Sequence, residues 1–518
     1  AKVWDWKDEY GDTIINQLKR LGSSCDWSRN AFTMSGAPNA PAGNEGNFHD
    51  AVIKVFIEMY NKGLIYRGKR LVNWDPHFET AISDLEVENI EMPGHMWHFK
   101  YPLAGGATYT YVEKDEDGNV TLSEERDYIS IATTRPETML GDGAVAVHPS
   151  DERYAPIVGQ LCEIPVGPKE HRRLIPIITD EYPDKDFGSG AVKITGAHDF
   201  NDYQVAKRGG IPMYRLMDTK GAMRADGALY AECASLAMSV ARNGLQLSEV
   251  EVDAINLIPD VLRGLDRFEA RKLVVDQITS EGLAVMVEET VKDDEGNETT
   301  QMVPYVENKP IMQPIGDRSK VVIEPMLTDQ WFVETSKIVE PALDAVRTGR
   351  TKIMPESGEK TYYHWLENIE PWCISRQLWW GHQIPVWHVL DKDQIFRTTN
   401  DDLRAKISDA KSMGKQHVVD DLELDLEATK HQFALFHSHA EKKNASQFCA
   451  ANEEEAIELA SKVFGSSVEA FESRAEAEES LFSRPYSKRD ICAIYRDPDV
   501  LDTWFSSGLW PIGTLGWP

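Results

Sequence analysis

The sequence predicts an α/β protein in which a β-rich α+β segment interrupts a chain of mixed helices and strands. Its 518 residues change texture several times. Helical patterns followed by short β-type runs fill residues 1–95, and many short β-type runs separated by turn residues fill 96–325. Aromatic residues crowd 326–390 and an apolar run closes 489–518, with an acidic, helix-prone stretch at 391–488 between them. The chain is long enough for two to four domains with cores of their own.

The individual elements follow from periodicity and turn residues. "VWDWKDEYGDTIINQLKRLG" has the spacing of amphipathic helices, and "GLIYRGKRLVNWDP" combines short β-type runs with turn residues. "MWHFKYPL", "TYTYVEK", "YISIATT", "GAVAVHP" and "GSGAVKIT" predict short strands. Stretches rich in Gly, Asp and Glu near 114–119 and 293–298 predict hairpin tips, and 255–283 has a helical pattern.

Composition excludes some classes of protein and leaves others open. The six cysteines form no C-x-x-C pair, which favours reduced thiols in a cytoplasmic protein over disulfides or a cysteine zinc site. No run approaches the roughly 18 apolar residues needed to cross a bilayer. The net charge of −30 is weak evidence against nucleic-acid binding, because much of the excess lies in 418–480 and a local site can differ from the whole.

The first candidate site is "TTRPETMLGDG" at 133–143, which combines small hydroxyls, one fixed cation, a proline and a glycine-bounded aspartate, Asp142. Threonine hydroxyls both donate and accept hydrogen bonds, and an arginine suits a phosphate or a ribose-proximal contact. The alternative is a threonine-rich edge strand with an ion-paired arginine. The candidate residues are Thr133, Thr134, Arg135, Glu137 and Thr138.

The second candidate is "DFGSGAVKITGAHDFNDYQVAKRGG" at 186–210. Lys193 and Thr195 share one face of the predicted strand, because side chains two apart point to the same side. Asp199 has the position of a helix cap, and Asp202 could bind an ammonium group. His198 is interpreted as a structural turn histidine, and one histidine with two aspartates makes a weak metal site.

The third candidate is the aromatic cluster of the last third of the chain. Tryptophans at this density are usually core residues, but they also line apolar pockets or stack on a purine ring. Arg376 could contact an anion, with a surface salt bridge as the default interpretation. The tryptophans concerned are Trp372, Trp379, Trp380, Trp387 and Trp504.

In order, these stretches closely resemble the valyl-tRNA synthetases, a branch of the class I aminoacyl-tRNA synthetases. The resemblance is carried by "KGLIYRGKRLVNWDP", "TTRPETMLGDGAVAVHP", "GAHDFNDY", "GLDRFEARK", "EPMLTDQWFV", "PWCISRQLWWGHQIP" and "DPDVLDTWFSSGLWP". It spans nearly the whole chain and is weakest over 391–488. "TTRPET" resembles the valyl version of a motif that differs in the leucyl and isoleucyl enzymes.

The resemblance implies a partial Rossmann-type catalytic domain with an inserted editing domain. Residues 1–95 then correspond to the first catalytic part with connective insertion, 96–325 to the editing domain, and 326–390 with 489–518 to the remaining catalytic part. The acidic helical insertion occupies 391–488. The family's two ATP signature motifs are expected outside these residues, so we expect editing here without valine activation.

An editing site answers a chemical need. An apolar valine pocket rejects the near-isosteric threonine by only about 10², a limit for which the valyl enzymes are themselves the known example. By resemblance, Thr133 and Thr138 line the acyl pocket, Arg135 contacts the terminal adenosine or its phosphate, and Lys193 and Thr195 flank the ester. Asp202 holds the α-ammonium group, while Asp199 recognises the threonine hydroxyl or positions water. Trp380 and Trp504 resemble residues lining the valine pocket.

The expected reaction is hydrolysis of Thr-tRNA(Val) by direct water attack at the tRNA(Val) 3′ end, without metal or other cofactor. ATP and Mg²⁺ are expected only for the full-length ligase, and no zinc is expected between "IPVW" and "DPDVLD". The resemblance also implies a cytoplasmic protein without membrane contact, and we expect a monomer. Two alternatives stay open: a non-catalytic module that binds the tRNA acceptor stem, and a nonenzymatic acidic scaffold.

Overall fold

The computed structural model describes residues 2–115, 117–292, 298–390, 447–464, 467–483 and 492–518, with scattered positions between 404 and 424. The chain divides into two compact units. The central unit is Lys69–Asp329, and the terminal unit combines Ala1–Gly68 with Gln330–Pro518. Among the residues described, no helix is both long enough and apolar enough to cross a membrane.

The secondary structure mixes helices and strands throughout, as the sequence predicts. The α-helices are α1 Lys2–Tyr10, α2 Thr13–Arg20, α3 Phe48–Asn61, α4 Phe200–Gly209, α5 Tyr230–Asn243, α6 Glu249–Ala254, α7 Arg267–Ser280, α8 Ser336–Arg347, α9 Gly358–Glu367, α10 Glu453–Phe464, α11 Arg474–Ser483, α12 Thr503–Gly508 and α13 Trp510–Gly513. The strands are β1 Ile65–Asp75, β2 Thr80–Ile82, β3 Val87–Pro102, β4 Tyr109–Lys114, β5 Val120–Arg126, β6 Tyr128–Thr133, β7 Ala144–Val147, β8 Leu161–Glu163, β9 Leu174–Thr179, β10 Ala191–Ile194, β11 Met286–Lys292, β12 Glu298–Pro304, β13 Val306–Gly316, β14 Glu324–Val333, β15 Trp372–Cys373, β16 Ser375–Arg376, β17 Val386–Val389, β18 Gln447–Cys449, β19 Val468–Phe471, β20 Cys492–Arg496 and β21 Val500–Leu501.

The terminal unit contains a four-stranded sheet in the order β18-β17-β20-β19, in which β19 and β20 run parallel. Helix α3 buries Phe48, Val52 and Phe56 in a core that also contains Trp331 and Phe505. These apolar residues recur at intervals of four on α3, which places them on one face of the helix. Much of the predicted acidic helical insertion at 391–488 lies outside the described residues. Its described part contains α10 and α11 together with β18 and β19.

The loop before α3 depends on a glycine. Gly36 has a φ of +76°, and a Cβ atom there would lie 1.9 Å from the carbonyl oxygen of Gly46. We expect Gly36→Ala to destabilise the terminal unit by about 1–2 kcal/mol from left-handed strain and by about 1–3 kcal/mol more from the clash. Gly43 is the matched control, since its φ is +90° but no atom lies within 4 Å of the added Cβ. Thermal unfolding of both variants measures the difference, and equal losses would contradict the contact.

The central unit is built on two larger sheets and one main core. One sheet has the order β13-β3-β6 and the other β10-β7-β9-β8, with β7 and β9 parallel. The antiparallel register pairs Ile194 at the end of β10 with Ala144 at the start of β7. Residues just before β7 and just after β10 therefore lie at the same end of this sheet. This end carries the candidate site.

Two local predictions can be compared with the central unit. The hairpin tip near 114–119 is confirmed, because β4 and β5 pair antiparallel on either side of it. Strands β11 and β12 also pair antiparallel, although 293–297, the predicted tip between them, lies outside the described residues. The helical pattern over 255–283 is too long: α7 begins only at Arg267, after Gly264 at a φ of +75° and the cap Asp266. A glycine in this conformation breaks a helix, so the residues before it form no α-helix beyond α6 and contain only a short 3₁₀ helix, Asp260–Leu262.

Candidate active site in the central unit

The "TTRPET" segment forms a tight turn at the end of β6. Thr133 is the last residue of β6, and its Oγ1 accepts a hydrogen bond from the backbone N–H of Arg135 at 3.0 Å. A short 3₁₀ helix then runs from Pro136 to Gly141, where the proline suits the first position because it has no N–H to satisfy. The Thr138 hydroxyl donates to the Arg135 carbonyl at 2.9 Å. Thr138 is buried in this turn, and Thr134 is half-buried.

Lys193 joins the two candidate segments. Its Nζ donates to the Thr138 hydroxyl at 2.9 Å and to the Thr195 hydroxyl at 2.5 Å. Thr195 directly follows β10, and its side chain lies on the same side as that of Lys193, as the sequence predicts. All three side chains are buried, and Asp142 lies with them, 3.6 Å from the ammonium group. Burial of an ammonium group costs free energy unless oxygen atoms accept its hydrogen bonds, as they do here. A buried lysine of this kind is a candidate functional residue.

Asp202 is a buried carboxylate beside this cluster. Its Oδ2 accepts the backbone N–H of Thr195 at 2.8 Å. Burial raises the pKa of Asp202 to about 7, against the opposing effect of Lys193. The carboxylate can therefore gain or lose a proton near neutral pH, which is typical of functional carboxylates.

Asp199 caps helix α4. Its Oδ1 accepts the N–H groups of Asn201 at 2.8 Å and of Asp202 at 3.1 Å, which are among the donors that the start of a helix leaves unpaired. The capping role considered from the sequence is thus observed. Because the cap orients the first turn of α4, it also fixes the direction of Asp202.

Arg135 belongs to a chain of alternating charges, Arg271–Glu137–Arg135–Glu324–Arg267. Glu137 accepts two hydrogen bonds from Arg271, at 2.7 and 2.9 Å, and one from Arg135 at 3.2 Å. Glu324 is bound by Arg135 at 2.5 Å and by Arg267 at 2.7 Å. Burial opposes the charge on Glu137, but the two arginines outweigh it and hold its pKa below the usual range.

This charge chain shows the surroundings of two predicted residues. Glu137 is completely buried with both oxygens bound and supports the turn, and its contact with a substrate stays a prediction. The ion-paired arrangement is the one observed for Arg135, whose guanidinium also donates to the His198 carbonyl at 3.1 Å. Its contact with the terminal adenosine stays a prediction.

The side chain of His198, in the second segment, is bound to the backbone of Leu216. Its Nε2 accepts the backbone N–H of Leu216 at 2.9 Å, which requires the tautomer protonated on Nδ1. Burial lowers the pKa of His198 well below the usual value, with Arg135 and Lys193 adding to the effect. A neutral histidine that accepts a backbone hydrogen bond agrees with the structural interpretation.

The predicted tryptophans lie in the terminal unit and differ in their surroundings. Trp380 is half-buried and packs on Phe32 and edge-on against Trp4, with ring centroids 6.3 and 5.6 Å apart. Trp504 is largely exposed on α12. Trp387 is buried in the core beneath the four-stranded sheet. Arg376 forms a salt bridge with Asp502, as its alternative interpretation predicts, but the pair is buried and not at the surface as expected.

Several residues that are hydrogen-bonded to the candidate site are not predicted by the sequence. Tyr101 donates to Asp142 from β3, 41 positions away, and Glu324 reaches Arg135 across 189 positions. Asp142 stands out in the sequence only as a glycine-bounded aspartate. A pattern of spacing carries no signal for such pairs, because only the packing of the sheets brings them together.

The family model described as tRNA synthetases class I (I, L, M and V) matches residues 1–438 and 431–518, so the chain belongs to this family.

The similar curated proteins are more specific. The chain is 66% identical over 538 aligned positions to a valine–tRNA ligase of Ruegeria pomeroyi, with 100% of this chain and 48% of that protein covered. It is 49% identical over 527 positions to the valine–tRNA ligase of Cereibacter sphaeroides, covering 47% of it. For the Rhizobium meliloti enzyme the identity is 42% over 519 positions and the coverage 44%. The chain thus spans about half the length of these relatives, and the resemblance to valyl enzymes is confirmed.

A solved complex of a leucyl-tRNA synthetase from Agrobacterium radiobacter with tRNA and LeuAMS matches 99% of this chain and 48% of its own. The identity is 14% and the TM-score is 0.27, which is too low to support any structural argument.

Proposed function

We propose that the central unit hydrolyses a mischarged aminoacyl ester, with Thr-tRNA(Val) as its substrate. One observation carries the proposal: the Lys193 ammonium group donates to two threonine hydroxyls within a buried cluster that also contains Asp202. The membership of the class I synthetases and the similarity to valine–tRNA ligases support tRNA(Val) as the partner. Its aminoacylated 3′ end is the part that would reach the cluster.

Each side chain has a role in this proposal. Ionised Asp202 holds the substrate α-ammonium group, and the Nζ of Lys193 keeps one N–H for the ester carbonyl, since an ammonium group has three donors and two are used. Asp199, exposed beside Asp202, meets the threonine hydroxyl or positions the attacking water. Thr133, Thr134 and Thr138 line the acyl group.

The reaction needs no covalent enzyme intermediate. Water adds to the ester carbonyl, and the negative charge that forms on the carbonyl oxygen is stabilised by the Lys193 ammonium group, which is already in place. The bond from carbonyl carbon to ribose oxygen then breaks, and the proton lost by the water ends on the ribose oxygen. The products are threonine and uncharged tRNA. Holding water and ester together provides the remainder of the rate enhancement.

The test compares hydrolysis of Thr-tRNA(Val) and Val-tRNA(Val) by the 518-residue chain. We expect faster hydrolysis of the threonyl ester and, for Lys193→Met, a loss of about 10²–10³ in kcat from the missing oxyanion donor. Thr80→Val is a matched control, since Thr80 is another buried threonine of the central unit and donates to the Ala81 carbonyl at 3.2 Å. Equal rates for both esters would contradict the proposal. Binding of the tRNA without hydrolysis would instead favour the non-catalytic module.

For the longer ligase we propose that valine is joined to tRNA(Val) with ATP, and that Trp380 and Trp504 of the terminal unit contribute to the valine pocket. The packing of Trp380 on Phe32 and Trp4 provides the apolar wall that such a pocket needs. Valine binding to the Trp380→Ala variant, measured by calorimetry in the full-length enzyme, tests this role.

A further inference from the structure

Asp142 is a completely buried carboxylate that accepts hydrogen bonds from two hydroxyl groups. Tyr101 donates to its Oδ2 and Thr195 donates to its Oδ1, both at 2.6 Å. Neither Tyr101 nor Asp142 is exposed to solvent. Arg173 fixes the backbone around the carboxylate by donating to the carbonyls of Leu140 and Asp142. The main chain and the carboxylate of Asp142 are thus held by separate partners.

These bonds set the direction of the hydroxyl protons around Lys193. A threonine hydroxyl has one proton, and that of Thr195 goes to Asp142. The proton of Thr138 goes to the Arg135 carbonyl. Both oxygens therefore face Lys193 as acceptors, which matches an ammonium group that can only donate.

Thr195 connects Asp142 to the second carboxylate as well. Its side chain binds Asp142, and its backbone N–H binds Asp202 at 2.8 Å. A displaced Thr195 would move the ammonium group and the Asp202 carboxylate together. An Asp142 that serves only the packing of the core would not need to be connected in this way.

We propose that Asp142, held by Tyr101, is a positioning residue that aligns the Thr195 hydroxyl and the Lys193 ammonium group for the hydrolysis. This inference rests on the proposed function. Without the carboxylate, the Thr195 hydroxyl can rotate and donate elsewhere, and Lys193 loses the negative charge 3.6 Å away. Asp142 contacts no substrate in this scheme and acts through Thr195 and Lys193.

The test is a double-mutant cycle between Asp142→Asn and Thr195→Val in the full 518-residue chain, with kcat and KM measured on Thr-tRNA(Val). We expect Asp142→Asn alone to lower kcat by about 10²-fold, the effect of a misplacement of roughly 1 Å, and to change KM by less than about threefold. In the T195V background the same substitution should lower kcat by less than about twofold. With Thr195→Ser, which keeps the hydroxyl, the cost of Asp142→Asn should return.

Tyr101→Phe provides the second variant, since it keeps the ring and removes only the donor to Asp142. We expect about tenfold lower kcat and the same dependence on the Thr195 hydroxyl. Tyr154→Phe is its matched control: Tyr154 is equally buried, but its hydroxyl donates to the Ser189 carbonyl at 2.6 Å, and kcat should stay at the wild-type value.

The cycle decides whether Asp142 positions the Thr195 hydroxyl for the hydrolysis or serves only the packing of the core. Equal losses of kcat with and without the Thr195 hydroxyl, or no loss in a folded Asp142→Asn variant, would overturn the inference. If Asp142→Asn does not fold by circular dichroism, the cycle between Tyr101→Phe and Thr195→Val decides in the same way. Failure of the wild-type chain to hydrolyse Thr-tRNA(Val) would contradict the proposed function, which is a separate result.

Discussion

Replacing Asp202 with asparagine is expected to slow the hydrolysis of Thr-tRNA(Val) by about 10²-fold or more while making the central unit more stable at pH 8. The loss of activity follows from the missing negative charge for the substrate α-ammonium group. The gain in stability follows from burial, which raises the pKa of this carboxyl from 3.8 to about 7 and so makes its charged form costly.

The pH dependence of this gain has a definite sign. Between pH 3.8 and about 7 the folded chain holds a proton at Asp202 that the unfolded chain has lost, so stability falls as the pH rises through this window. Above about 7 the full cost is present, up to about 4 kcal/mol for a shift of this size. The advantage of Asp202→Asn should therefore be largest at pH 8 and vanish near pH 4.

Thermal unfolding at the two pH values checks this expectation. Asp253→Asn is a control of opposite sign: burial opposes the charge there, but Arg215 holds the pKa of Asp253 below its usual value. That variant should lose stability at pH 8 and keep its hydrolytic rate. A destabilised Asp202→Asn variant at pH 8 would show that the carboxylate is held by favourable interactions that outweigh its burial.

The raised pKa of Asp202 also predicts how the rate of hydrolysis depends on pH. Activity should rise as Asp202 ionises near pH 7 and fall again as the substrate α-amino group, with an ordinary pKa of about 7.7–8.0, loses its proton. The profile of kcat/KM, corrected for spontaneous ester hydrolysis, should be a narrow bell that loses its acidic limb in Asp202→Asn.

Glu137→Gln is expected to lower the free energy of unfolding of the central unit by about 3 kcal/mol. Glu137 is completely buried between Arg135 and Arg271, and the amide would direct an N–H₂ group at two guanidinium groups. The turn that carries Thr138 rests on Arg135, so we also expect hydrolysis to fall sharply. Chemical denaturation measures the first effect and ester hydrolysis the second.

Glu152→Gln is the matched control for Glu137. Glu152 pairs with Lys114 at 2.8 Å, but the glutamate is largely exposed, and solvent screens such surface pairs so that they contribute little to stability. Similar losses for the two variants would show that burial of the charge chain contributes little to its strength. A loss of hydrolysis without a loss of stability in Glu137→Gln would place this glutamate closer to the chemistry than its burial indicates.

The sequence predicts the contacts in this site between residues that are close along the chain. It does not predict the contacts between residues that are far apart along the chain. Alternation along β10 predicts that Lys193 and Thr195 meet, and spacing predicts the Asp199 cap of α4. These features depend on a few neighbouring residues, whose geometry is set by the strand and the helix. The contact of Arg135 with Glu324 depends on how β14 packs beside the turn, which periodicity does not encode.

The aromatic residues show the same limit. The density of tryptophans near residue 380 of the sequence predicts that they lie in the core or line an apolar pocket. In the structure, however, Trp387 is buried while Trp379 is fully exposed. Trp387 lies on β17 between two other strands, whereas Trp379 lies outside the strands. Composition predicts that aromatic residues pack in this region, but which of them are buried depends on their position in the sheet.

The double attachment of Thr195, by its hydroxyl to one carboxylate and by its main chain to another, has a consequence for protein engineering at this site. Any library that randomises position 195 will disturb two acidic groups at once and return mostly inactive clones. Thr134, which is half-buried outside this bonded cluster, is the better starting point for directed evolution, because diversity there leaves the shared framework intact.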